Sequence, residues 1–142
     1  MAFVKIWVHA VWGTKNREPV LDKTILEAVC NHIKENGRLK SIFIDSINGY
    51  FDHLYCLMLL NADTSISKQM QLIKGESSFW INKNKIIKGR FEWADEYFAS
   101  SVSEDKLDIV RAYIMNQQEH HKKVTFKDEY EKFLKHFGFD QG

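Results

Sequence analysis

Gly49-Tyr50-Phe51-Asp52-His53-Leu54-Tyr55-Cys56-Leu57-Met58-Leu59-Leu60 runs from a polar turn straight into an apolar strand. Side chains two apart on a strand share a face. His53 and Tyr55 are therefore neighbours, while Leu54 and Cys56 turn the other way. A histidine and a tyrosine side by side at a strand start can bind a metal or handle a phosphate. The stretch just before, Ser41 to Asn48, alternates Ile42 and Ile44 and then carries Ile47 out of step. It reads as a strand with an irregular end, joined to the His53 strand as a hairpin.

Upstream, Phe3 to Trp12 also alternates, with Val4, Ile6, Val8 and Ala10 on one face. Its other face, with Lys5, Trp7, His9 and Val11, is aromatic and basic. Gly13 to Pro19 is a loop carrying Lys15 and Arg17. Asp22 caps a helix to about Asn36, with Gly37 as its stop. Downstream, Asp63-Thr64-Ser65 offers N-caps for a helix from Ile66 to Lys83, in which Gly75 implies close packing. A basic turn with Lys83, Lys85, Lys88 and Arg90 leads to a further strand between Phe91 and Val102, irregular near Asp95-Glu96. Ser103 caps a helix from Glu104 to about His121, burying Leu107, Val110, Ile114 and Met115. A last helix spans Lys127 to Phe137.

The order β-α-β-β-α-β predicts a ferredoxin-like α+β fold. Two helices lie on one face of an antiparallel sheet, the other face is free, and two helices follow at the C-terminus. At 142 residues the chain is expected to be one domain over 1–142. Its net charge of +1 means that any nucleic-acid role rests on local patches. Cys30 and Cys56 lack metal-site spacing and read as two buried thiols in a reducing cytoplasm. No apolar run reaches membrane-spanning length, and the N-terminus lacks a signal-peptide layout.

Tyr113 and Gln117 stand four apart on the Glu104–His121 helix and so share a flank. Alone, that pair reads as a packed tyrosine at a helix edge. Combined with Asp52-His53-Leu54-Tyr55, it resembles the HUH superfamily of single-tyrosine transposases, of the small insertion-sequence and repeat-associated type. The likeness extends to the opening strand and its Thr14–Pro19 loop, to Leu72-Ile73-Lys74-Gly75 with Phe79-Trp80, and to Arg111 through Gln117.

The resemblance implies a mechanism. Tyr113 would attack a phosphodiester of single-stranded DNA, giving a 5′-phosphotyrosine and a free 3′-OH. His53 and Gln117 would hold a divalent metal, Mg²⁺ or Mn²⁺, that polarises the phosphate. It also implies a homodimer and recognition of DNA hairpins at element ends. Lys15, Arg17, Lys74, Lys83, Lys85 and Arg90 are the candidate DNA contacts.

The second histidine of the family's metal motif is here Tyr55. A neutral phenol is a poor ligand for these ions. Either Tyr55 binds weakly, or the metal site is lost and the chain is a silent hairpin-binding descendant. A third reading is an unrelated ferredoxin-like protein with a small ligand on its aromatic sheet face. His9 reads first as a strand histidine bonded to solvent or backbone, and otherwise as a neighbour of the site if its strand lies beside that of His53; His120 and His121 read as a solvated helix end. His32 and His136 carry no signal.

Overall fold

The computed structural model describes residues 2–139. Its sheet contains β1 (Trp7–Gly13), β2 (Ile44–Tyr50), β3 (His53–Leu59) and β4 (Phe98–Val102). The spatial order is β2-β3-β1-β4 with every pair antiparallel, the ferredoxin-like topology. β1 starts later than its alternation predicts, because its pairing begins at Trp7, opposite Leu59 and Val102. Without a neighbour to cover it, Phe3 is almost fully exposed.

The out-of-step Ile47 has a local cause. The β2–β3 register shifts between Ile44 and Ser46, so Asp45 sits at an irregularity that reverses the facing of later residues. β4 is shorter than Phe91–Val102. Trp93 makes only an isolated bridge to Thr14, and its indole nitrogen donates to Ser77 Oγ at 2.9 Å. That bond explains a serine in the apolar core.

α1 (Lys23–Leu39) starts at Asp22, whose carboxylate accepts from the Ile25 amide at 2.9 Å. It continues through Gly37. A Cβ there would meet the Ile42 carbonyl at 2.9 Å, so Gly37 serves close approach to the chain beyond rather than helix termination. α2 (Ile66–Lys83) has the predicted ends, with Ser65 Oγ accepting from the Lys68 amide. Gly75 departs from the expectation, since nothing lies within 4 Å of a Cβ built on it.

α1 and α2 cover one face through Leu26, Val29, Ile33, Met70, Ile73 and Ile81, packed on Val8, Ala10, Trp12, Leu54, Cys56 and Met58. The second face is covered too. α3 (Leu107–Met115), α4 (Gln117–His120) and α5 (Phe126–His136) follow β4. Leu107, Ile114, Phe126 and Tyr130 from this group pack on Trp7, Val11, Tyr55 and Leu57. Ser103 stands at the N-cap position, but its side chain makes no cap bond. Its hydroxyl donates to Asp105 Oδ1 at 2.7 Å, and a single 3₁₀ turn precedes α3. Met115 points outward and is 60% exposed. No helix among the described residues is long and apolar enough to cross a membrane.

Candidate active site

β3 places His53 opposite Gly13 of β1 and Tyr50 of β2, with Tyr55 opposite Val11 and Asn48. Gly49 is needed at the hairpin, because a Cβ there would collide with the His53 carbonyl. His53 and Tyr55 share the face that the C-terminal helices cover, and both are fully buried.

The predicted 104–121 helix is broken. Asn116 leaves helical geometry (φ −99°, ψ 21°), separating α3 from α4. The break exposes helix-end carbonyls, and β2 supplies their partner. The Asn48 amide donates to the Ile114 and Met115 carbonyls at 3.0 and 3.2 Å. Gln118 returns a bond to Asn48 Oδ1 at 3.0 Å and another to the Gly49 carbonyl at 3.1 Å. A bidentate pair between Arg111 and Asp45 (2.9 and 3.0 Å) fastens α3 to the same strand.

These ties bring Gln117 to His53. Gln117 Oε1 lies 3.2 Å from His53 Nε2, and the Gln117 amide nitrogen donates to the Tyr113 carbonyl at 3.1 Å. His53 Nδ1 lies 2.8 Å from Asp52 Oδ1, so a proton on Nδ1 donates to that carboxylate. In the neutral ring Nε2 then carries a lone pair facing a carbonyl oxygen. This is a ligand pair in waiting, and it fits a divalent metal.

Tyr113 is half-buried, its ring centroid 5.7 Å from that of Tyr55 and 6.4 Å from that of His9. His9 therefore belongs to the cluster rather than to solvent. It stacks on Tyr55 at 5.6 Å, and its Nε2 has no hydrogen-bond partner among the described residues. Burial lowers its pKa to about 4. Tyr55 does not suit a metal. Burial first, and the nearby Glu129 carboxyl second, push its phenol far above its ordinary range. Its hydroxyl lies near Glu129 but has no hydrogen-bond geometry there or elsewhere among the described residues. A phenolate ligand is out of reach.

α5 closes over the site. Phe126 lies flat against His53 with centroids 4.4 Å apart, and Phe133 meets Tyr55 and His9 edge-on. Glu129 enters from the same helix, with its carboxyl raised to about 7 by burial. Its Oε2 lies 2.8 Å from His120 Nε2 and 2.9 Å from His121 Nε2. Adjacent histidines converge here because α4 ends at His120 and the chain turns before α5. The sequence contains these residues, but their meeting depends on that reversal.

The predicted DNA contacts are scattered. The Lys74 ammonium donates to the carbonyls of Ala94 and Asp95 at 2.7 and 2.9 Å, which pins that loop. Lys15 pairs with Glu92 at 2.8 Å, and Arg90 approaches Glu92 at 3.7 Å. Lys15, Lys74 and Arg90 border an open groove of about 830 Å³ with Phe79, Trp93 and Tyr97, over α2 rather than over His53. Lys83 lies above the Phe79 ring at 5.7 Å, and Lys85 adopts a left-handed backbone (φ 52°). Only Arg17, also left-handed (φ 52°), borders a cleft on the His53 side, together with Gly13, Phe126 and Tyr130.

Residues 2–117 match the sequence profile of the family described as "Transposase IS200 like". The chain belongs to the IS200-like transposase family. Its fold agrees with two solved structures of transposase proteins. One, from Deinococcus radiodurans R1 and described as a transposase, superposes with a TM-score of 0.65 at 21% identity, covering 82% of this chain and 93% of that one. The other is a REP-associated tyrosine transposase bound to a REP hairpin, with a TM-score of 0.61 at 16% identity, covering 87% of this chain and 73% of that one. Among curated proteins none matches by sequence. The IS200-like match ends at Gln117, so most of α4 and all of α5 lie beyond it.

Proposed function

We propose that this IS200-like transposase cuts and rejoins single-stranded DNA at element-end hairpins through a covalent bond to Tyr113. The observation that carries the reading is the facing of His53 Nε2 and Gln117 Oε1 at 3.2 Å, one turn beyond Tyr113. The hairpin-bound relative supports the choice of DNA as partner.

In this reading the Tyr113 oxygen forms a bond to phosphorus, and the bond to the 3′ oxygen breaks, leaving a free 3′-OH. A phenol with an ordinary pKa near 10 needs help to act as a nucleophile. A divalent metal, Mg²⁺ or Mn²⁺, would supply Lewis-acid polarisation of the phosphate when bound to His53 and Gln117. Asp52 holds the His53 tautomer that leaves Nε2 free. Asn48 and Gln118 hold the helix break that aims Gln117. Arg17 is the predicted cation best placed to meet a phosphate backbone beside His53, since Lys74 is committed to carbonyls and Lys15 and Arg90 pair with Glu92.

Tyr113 packs against the Tyr55 and His9 of its own chain, so one subunit contains all these groups. Homodimerisation, which the family resemblance implies, belongs to the same proposal, and light scattering at micromolar concentration tests it. The two buried thiols suit the reducing cytoplasm in which we place the protein.

A second reading has one observation in its favour: Tyr55 stands neutral where the family's second histidine is expected. On that reading the chain binds hairpins without cutting them. Incubation with hairpin-bearing single strands and Mn²⁺ separates the two. Cleavage lost in Tyr113→Phe supports the transposase; salt-sensitive binding without cleavage supports the silent binder.

A further inference from the structure

His120, His121 and Glu129 each direct one ligand atom into a common space, all within 4.8 Å of one another. The His121 tautomer is set by its surroundings. Its Nδ1 lies 2.6 Å from the Val124 carbonyl oxygen, which can only accept, so Nδ1 carries the proton. In the neutral ring Nε2 is then a lone pair. It is buried with His121 at 8% exposure, 2.9 Å from Glu129 Oε2, and it makes no hydrogen bond among the described residues. The His120 Nε2 reaches the same oxygen at 2.8 Å. A buried lone pair aimed at a carboxylate needs something positive between the two.

The ring of His121 stands next to that of His53, with centroids 4.3 Å apart, and 6.3 Å from that of Tyr55. Two imidazoles and a carboxylate form the donor set of a borderline first-row cation such as Zn²⁺, Co²⁺ or Mn²⁺, and suit Mg²⁺ poorly. We propose that His120, His121 and Glu129 hold a divalent transition-metal ion beside His53. The C-terminal segment thereby returns to the active site the imidazole that position 55 lacks. All three ligands lie beyond residue 117, outside the stretch matched to the family. The proposal deepens the transposase reading, but its geometry does not depend on DNA cleavage.

The test is a titration of the purified chain with Co²⁺, read by its visible d–d bands and by equilibrium dialysis. Wild type should bind one equivalent at His120, His121 and Glu129 that the Glu129 and His120 variants weaken, in addition to any ion held by His53 and Gln117, which the variants leave in place. Glu129→Gln, which keeps the side chain's size, should weaken binding by about tenfold or more, the scale seen even for loss of an outer-shell partner. His120→Gln alters a partly exposed side chain that the core does not need, and should also weaken binding. Circular dichroism without metal would confirm that both variants fold. Undiminished binding in both variants, or no binding by wild type, overturns the proposal; the second result would leave a proton on Glu129 as the positive element. Cleavage of single-stranded DNA is scored separately. Failure of the metal assignment and failure of the transposase reading are thus told apart.

Discussion

His53 Nε2 and Gln117 Oε1 face each other at 3.2 Å although they lie 64 residues apart in the sequence. With the His53 ring neutral and its proton on Nδ1, neither atom has a hydrogen to offer the other. Asp52 takes the proton on His53 Nδ1, and the Tyr113 carbonyl takes an amide proton of Gln117. Removing an outer partner should therefore spoil the pair without touching it. Asp52→Ala is expected to lower Mn²⁺ affinity about 10–100-fold, as measured by titration calorimetry. An unchanged affinity would mean that His53 is oriented by something other than Asp52.

Asn48 supports the same pair from the strand side. Its amide satisfies two carbonyls released by the break at Asn116 and pairs with Gln118. Asn48→Ala leaves those groups without their partner and should destabilise the protein by about 1–3 kcal/mol in urea unfolding. Slower DNA cleavage should accompany it. A variant of full stability would show that water replaces the side chain without loss.

α5 covers His53, so DNA can reach the site only if this helix yields. Gly13 is the contact to press. A Cβ there would lie 2.8 Å from Phe126 Cε2 and 3.2 Å from the Asp52 carbonyl. Gly13→Ala should cost about 1–3 kcal/mol of overpacking. The chain can relieve it by loosening α5. Amide exchange across Phe126–His136 should accelerate; exchange equal to wild type would mean that the sheet, not the helix, gives way.

His9 makes the protein sensitive to acid. Its folded pKa is about 4 against an ordinary value of 6.5, because burial disfavours the charged ring. The unfolded chain therefore binds the extra proton first as pH falls. Stability from this residue is fully present above pH 6.5 and is lost progressively down to about 4. The loss is on the order of 3 kcal/mol. The groups facing His9 are Tyr55, Phe98, Tyr113 and Phe133, none of which gains or loses charge in that window. His9→Phe should make the stability curve less steep between those limits, leaving the slope that buried His121, also lowered to about 4, contributes, as followed by thermal unfolding at stepped pH.

The elements set by local rules were legible from sequence. α2 has both its ends where Ser65 and the apolar spacing put them, and β3 carries His53 and Tyr55 on one face as alternation demands. What was hidden depends on distant partners. The strand beginning at Phe3 fails to form before Trp7 because no neighbour extends that far. The break at Asn116 interrupts a continuous helical pattern and is held by Asn48, 66 residues from Ile114. α5 completes the second sheet face only because the chain reverses after His120, and the same reversal assembles His120, His121 and Glu129. Adjacent histidines on a regular helix would have pointed apart.

Mass spectrometry of the protein–DNA adduct tests whether Tyr113 bonds covalently to DNA. The protein would be incubated with Mn²⁺ and single-stranded DNA from both flanks of its own gene, then denatured and digested. One peptide, containing Tyr113, should gain the mass of a 5′-phosphorylated oligonucleotide, and no such peptide should arise from Tyr113→Phe. Cleavage that persists in Tyr113→Phe, or an adduct on another residue, would rule out Tyr113 as the nucleophile.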